Sequence, residues 1–147
     1  IGMLCRSIVV LCMFMVGCSS QSVQQDSSST NAPTSNVALF LRGDMTGWDA
    51  RPEYKVRQQS TKLFTVKAEL PEAGKTYHFK FADAQWQPSM NYGAAMDDAE
   101  INLDTPVPVR TYSCLDELTF TPEQAGEYEF VLDLRGQRPV AIVKLAQ

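Results

Sequence analysis

The chain has little of what most chemistries require. Its 147 residues include a single histidine, His78, with no Ser or Cys at a motif spacing around it. A nucleophile–base pair therefore has no support in the sequence. Basic residues are the minority, 13 Lys and Arg against 17 Asp and Glu. Nothing resembles the clustered Lys/Arg that a nucleic acid or an anionic surface demands as partner. The apolar run Ser7 to Val16 is about half the roughly 20 residues of a membrane span, which argues against a transmembrane helix. No segment carries a convincing helical stripe, and Ala94 to Ala99 has room for one turn at most. No internal repeat is evident.

What is present begins at the N-terminus. Arg6 supplies one positive charge, the apolar run follows, and Gly17 puts a small residue directly before Cys18. Charged start, short apolar core and small residue at the cut are the signature of a secretory signal over residues 1–17. The tetrad Met15-Val-Gly-Cys18 resembles the lipobox of bacterial lipoproteins, whose Cys is lipidated on its thiol and becomes the first mature residue. The resemblance implies lipidation, palmitate included, at Cys18 and attachment to a bilayer. Ser19 in the next position implies sorting to the outer membrane of a bacterial envelope. An ordinary secretory signal followed by a chance Cys is the alternative.

Removing residues 1–17 takes one base, Arg6, and no acid, leaving 12 basic and 17 acidic side chains, a net charge of −5. Cys5 and Cys12 leave with the signal. With Cys18 lipidated, Cys114 has no partner for an internal disulfide and is expected to be a half-buried structural thiol. Residues 18–36 begin with Cys18 and continue through a Ser/Gln-rich stretch poor in apolar side chains. It reads as a flexible tether spanning roughly 20–25 Å on average. Residues 37–147 have the usual size of one domain.

That domain alternates with period two. Leu63 to Leu70 sets Phe64, Val66, Ala68 and Leu70 against Thr65, Lys67 and Glu69. Thr76 to Ala82 sets Tyr77, Phe79 and Phe81 inward, with His78 and Lys80 outward. Glu127 to Leu134 and Val140 to Leu145 form a terminal hairpin around Arg135-Gly-Gln137. Val37 to Leu41, Glu53 to Gln58 and Glu117 to Thr121 read as further short strands. Such patterns, with turn signals at short intervals, predict an all-β, immunoglobulin-like antiparallel β-sandwich. The stretch from Ala84 to Tyr112 fits poorly. Only Ile101 to Leu103 and Val107 to Val109 look extended there, and its length makes it a candidate binding surface.

Two tryptophans stand outside the alternating strands, Trp48 after the first and Trp86 just beyond the strand bearing Lys80. Each alone reads equally well as a lid over a sandwich edge. Two of them beside one outward Lys point to a sugar platform. The apolar face of a pyranose stacks on indole while its hydroxyls bond Lys, Asn or Gln, and flat rings lose little entropy on binding.

Leu39-Phe-Leu-Arg-Gly-Asp-Met-Thr-Gly-Trp-Asp49 resembles the opening of the glycogen- and starch-binding modules classed as family 48. Phe64 to Leu70, Gly74-Lys-Thr-Tyr-His-Phe-Lys-Phe81, Gln85-Trp86 and Met90-Asn-Tyr-Gly93 are similar to their continuation, particularly in modules attached to bacterial pullulanases. Ala125 to Asp133 and Pro139 to Val143 are similar to their closing hairpin. The resemblance covers residues 37–147. It implies an immunoglobulin-like sandwich that binds α-1,4-glucan through Trp48, Trp86 and Lys80, with Asn91 a weaker match. Thr46-Gly47 stands where the family has Asn-Asn, and Asp83-Ala84 where it has Asp-Gly. Both departures fall in the loops that set ring orientation.

No catalytic residue is expected, since glycoside hydrolysis needs two carboxylates across a cleft and the acids here sit in turns or on outward faces. Asp97, Asp98 and Glu100 lack the ordered spacing of a calcium loop and read as a solvated acidic loop, so neither a metal nor a cofactor is expected. The functional expectation is a membrane-anchored, non-catalytic module for starch, glycogen or maltodextrin. The rival is an envelope lipoprotein adaptor whose edge strands bind a protein, such as a member of a glucan-degrading system.

Overall fold

The computed structural model describes residues 37–97, 99–113 and 116–147. The signal and tether assigned to residues 1–36, the lipidation site Cys18, Asp98 of the acidic cluster and Cys114 lie outside the described residues.

The fold is all-β. Among the described residues ten strands run in chain order: β1 (Phe40–Gly43), β2 (Arg57–Ser60), β3 (Leu63–Leu70), β4 (Tyr77–Ala82), β5 (Asn91–Ala94), β6 (Glu100–Ile101), β7 (Val107–Arg110), β8 (Leu118–Phe120), β9 (Gly126–Asp133) and β10 (Val140–Leu145). One half orders them β2-β3-β9-β10-β7. In the other, β4 pairs β1 on one side and β5 and β8 in succession on the other, with β6 beyond β8. The short β5–β7 ladder (Gly93↔Arg110, Ala94↔Val109) joins the halves. They close on a core of Leu41, Phe79, Phe81, Leu118, Phe130, Leu132 and Val143, all at 0 % exposure. The Phe79 and Phe130 rings meet edge to face with centroids 5.0 Å apart, which places β4 of one half against β9 of the other.

Strands β3, β4, β9 and β10 fall where the alternation puts them. The short strands differ from expectation. Tyr54 lies in a 3-10 turn (Pro52–Tyr54), and β2 begins at Arg57 with all four residues exposed. Proline at the first turn position favours the helical φ there. Strand β5 falls in the stretch that looked irregular, held by its neighbours β4 and β7. The pair β6–β8 is parallel (Glu100↔Thr119), an exception to the antiparallel pattern. Ala94 to Ala99 contains a turn and bends but no helix among its described residues.

Register fixes what lies on the outer face of β4. With Phe79 and Phe81 in the core, His78, Lys80 and Ala82 face away from it. Arg42 of β1 sits beside Lys80, Asn91 of β5 beside Ala82, and Thr119 of β8 beside His78. Lys80 nevertheless is not exposed, contrary to the open position read from the alternation. Only 3 % of it is accessible, because Ser113 and Asp116 pass over this face. Gly93 is the reason they fit: a Cβ there would collide with the Asp116 carbonyl, the Ser113 hydroxyl and the Lys80 stem. Gly93→Ala should therefore cost about 1–3 kcal/mol from overpacking. A thermal melt should show the midpoint falling by roughly 5–15 °C.

Candidate functional site

The two tryptophans stand on loops that leave opposite ends of the antiparallel β1–β4 pair, Trp48 after Gly43 and Trp86 after Ala82. After β1, Asp44–Thr46 makes one 3-10 turn, closed by the buried Thr46, whose hydroxyl accepts from the Gly43 amide at 2.9 Å and donates to the Gly43 carbonyl at 3.1 Å. Gly47 (φ 63°) and Trp48 (φ 64°) then follow in the left-handed region. Glycine enters that region freely and Asn more easily than other residues. Gly47 thus supplies the backbone freedom that this turn requires. The Trp48 amide returns to the Gly43 carbonyl at 3.0 Å, and its indole N–H reaches Asp44 Oδ1 at 3.3 Å. The other Asp44 oxygen accepts from the His78 amide at 2.8 Å, tying this loop to β4.

The second loop hangs on the fully buried Asp83. Its Oδ1 accepts from the Gln87 amide at 2.8 Å, and its own amide donates to the Met90 carbonyl at 3.2 Å. Between them Trp86 also takes a left-handed backbone, φ 57°. A bulky side chain in that region is costly and is held only by its surroundings.

The two rings meet. Their centroids are 6.4 Å apart with a tilt of 35°; Trp48 is half-buried, and Trp86 is 37 % exposed. Arg42 binds the two loops together from beneath. Its Nε donates to the Trp48 carbonyl at 2.8 Å, and Nη1 donates to the Asp83 and Ala84 carbonyls at 2.9 and 3.3 Å. Its guanidinium carbon lies 3.7 Å from the centre of the Trp86 ring. Burial pulls the Arg42 pKa below its ordinary value, and the charges of Asp49 and Asp83 partly restore it. The sequence marks Arg42 only as a member of the opening motif. A buried Arg has no signal in alternation, since the partners that satisfy it are carbonyls of distant loops.

Trp48, Lys80, Trp86, Asn91 and Glu117 line one shallow depression of about 290 Å³. All four expected site residues thus come together, and Glu117 joins them unforeseen. Lys80 Nζ donates to the Ser113 carbonyl. Asn91 is 5 % exposed, and its Oδ1 meets no hydrogen-bond donor among the described residues. Glu117 lies 3.1 Å from His78 Nδ1 and separates this depression from a second, about 560 Å³, that Asp97, Glu100, Asp116 and Thr119 help to line. Asp97 and Glu100 therefore stand apart from the paired rings. Among the described residues no group of three His, Cys, Asp or Glu could hold a metal ion.

Chemically this is a platform with an edge: two flat apolar surfaces flanked by an ammonium, an amide and a carboxylate. A ligand with an apolar ring face and hydroxyls at its rim matches what is displayed. The Arg42 bridge should be measurable in the free protein. Arg42→Lys retains a charge but loses the planar fork and the stacked guanidinium. Its near-UV circular dichroism should show a weakened coupling signal from the Trp pair, with the far-UV β spectrum unchanged.

Comparison with known proteins is sparse. No family model and no curated protein matches the sequence. One solved structure matches in fold, the ligand-induced structure of AmyP-SBD, a starch-binding domain. It superposes with a TM-score of 0.56 over 99 % of this chain and 97 % of that one, at 16 % identity, which establishes a shared fold.

Proposed function

We propose that this protein is a non-catalytic α-glucan-binding module, taking starch, glycogen or maltodextrin chains on Trp48 and Trp86 while lipidated Cys18 holds it to a bacterial envelope membrane. The observation that carries the binding half is the ring pair itself: 6.4 Å apart, tilted by 35°, and both on left-handed backbone. Each such backbone costs of the order of 1–3 kcal/mol, a strain that proteins concentrate at functional sites. A tilt between neighbouring platforms suits the curvature of an α-1,4-linked chain, whose successive sugar faces are not coplanar. Lys80, Asn91 and Glu117 line the depression beside the rings. That AmyP-SBD is a starch-binding domain of the same fold supports the reading.

A site this shallow binds one chain weakly, with millimolar to micromolar dissociation constants, roughly −4 to −8 kcal/mol. Membrane attachment answers that weakness, since many copies on one surface gain avidity for a polymer without new contacts. The lipobox-like Met15 to Cys18 supports the anchor, and each buried acyl methylene adds about 0.8 kcal/mol to its hold. Ser19 supports the outer membrane as the destination. The adaptor alternative draws less support from the strand edges. Strand β2 is short, polar and irregular in register between Gln58 and Ser60, features that discourage addition of a foreign strand.

Replacing both rings, Trp48→Ala with Trp86→Ala, should leave the β spectrum intact and abolish retention on amylose resin, with cellulose as the control matrix. Retention equal to that of the unaltered protein rules the site out. Cys18→Ala, expressed in a bacterium fed labelled palmitate, should lose the label and move from the membrane to the soluble fraction. A label that persists on the Ala variant overturns the anchor.

A further inference from the structure

Three of the five non-glycine residues with positive φ among the described residues are aromatic, and two of them are the platform tryptophans. Lys62 and Asp104 occupy ordinary turns; the remaining one is Tyr112, at φ 59°. Nothing assigns Tyr112 a role, yet it is the most exposed large apolar side chain among the described residues, 67 % accessible.

Its position follows from the ladder that joins the two halves of the sandwich. Gly93 of β5 lies opposite Arg110 of β7. The ladder ends there, and the chain turns out of it through Tyr112. The backbone is pinned there on both sides. The Tyr112 amide donates to the carbonyl of Pro88, two residues past Trp86, at 2.8 Å. The next carbonyl, of Ser113, accepts from Lys80 Nζ. The Tyr112 backbone is therefore held beside the site, bonded to the Trp86 loop and followed directly by the residue whose carbonyl accepts from the site lysine.

Resting on the glucan reading above, we infer that Tyr112 is a third stacking platform, which extends the site along the polymer so that it takes a longer α-glucan segment than the Trp pair alone covers. A rigid ring anchored through its backbone but bare to solvent is a cheap surface for a sugar face, because it has little freedom left to lose. Its hydroxyl adds a donor and acceptor at the rim.

Chain-length dependence tests this. Affinities for maltotriose and maltoheptaose are measured by calorimetry for the unaltered protein, Tyr112→Ala and Tyr112→Phe, with melting midpoints recorded alongside. Tyr112→Ala should weaken maltoheptaose roughly three- to tenfold while leaving maltotriose and the midpoint unchanged. Tyr112→Phe should keep the long-chain affinity. Unchanged maltoheptaose affinity in Tyr112→Ala, or equal losses for both sugars, overturns the third platform and leaves the Trp site standing. Failure of the unaltered protein to bind either sugar overturns both readings.

Discussion

One buried cation holds the site in shape. Arg42 reaches three carbonyls on two loops that have no other direct tie between them in the polar contacts described, and it covers a face of Trp86 as it does so. Both tryptophans need that restraint. A left-handed Trp costs of the order of 1–3 kcal/mol, and a single hydrogen bond to a charged group returns about 1.5–3 kcal/mol. Without Arg42 each loop would relax towards ordinary backbone, and the rings would lose their common orientation. The guanidinium accepts its own desolvation because its N–H groups meet carbonyls in a fixed fork, which an ammonium could not match.

Arg42 is in position because the core puts it there. The outward side of β4 is set by Phe79 and Phe81 filling the interior, and the β1 register brings Arg42 alongside Lys80 on that side. A one-residue slip of β1 would send Arg42 into the core and Leu41 into solvent, which apolar burial forbids. Asn91 obeys the same logic on the other flank, paired beside Ala82. The chemistry of the depression is thus a consequence of hydrophobic packing one layer below it. Gly93 completes the arrangement by leaving room for the segment that caps Lys80.

This layering explains what could be read in advance. Strands β3, β4, β9 and β10 alternate apolar and polar side chains in sequence, which announces them even though β4 is buried on both faces. Strand β5 is written Asn-Tyr-Gly-Ala and announces nothing; its extended form comes from pairing with β4 and β7, contacts remote in sequence. The tryptophans were legible as residue types outside the pattern, and the resemblance to starch-binding modules singled out Lys80 and Asn91. That the rings stand side by side belongs to the platform reading of the sequence; their 35° tilt was not legible, because it depends on left-handed backbone at residues that seldom adopt it. Lys80 shows the limit of periodicity most clearly. Alternation gives the face a side chain takes, but not whether a later stretch of chain will cover it.

The one-sided presentation of Trp86 constrains the ligand further. Arg42 occupies one face, so stacking is confined to what remains open, and the neighbouring Trp48 is tilted by 35° to it. A sugar cannot be sandwiched between rings so disposed; it must lie across them. Under the proposed function, such a surface would engage the middle of a polymer as readily as its end. It is also largely organised before the ligand arrives, so binding spends little on ordering the rings. The remaining weakness is that of few contacts, and contacts can be added by lengthening the platform or by multiplying copies on a surface. In the proposed reading, an extra ring beside the site would serve the first route and an acyl anchor the second.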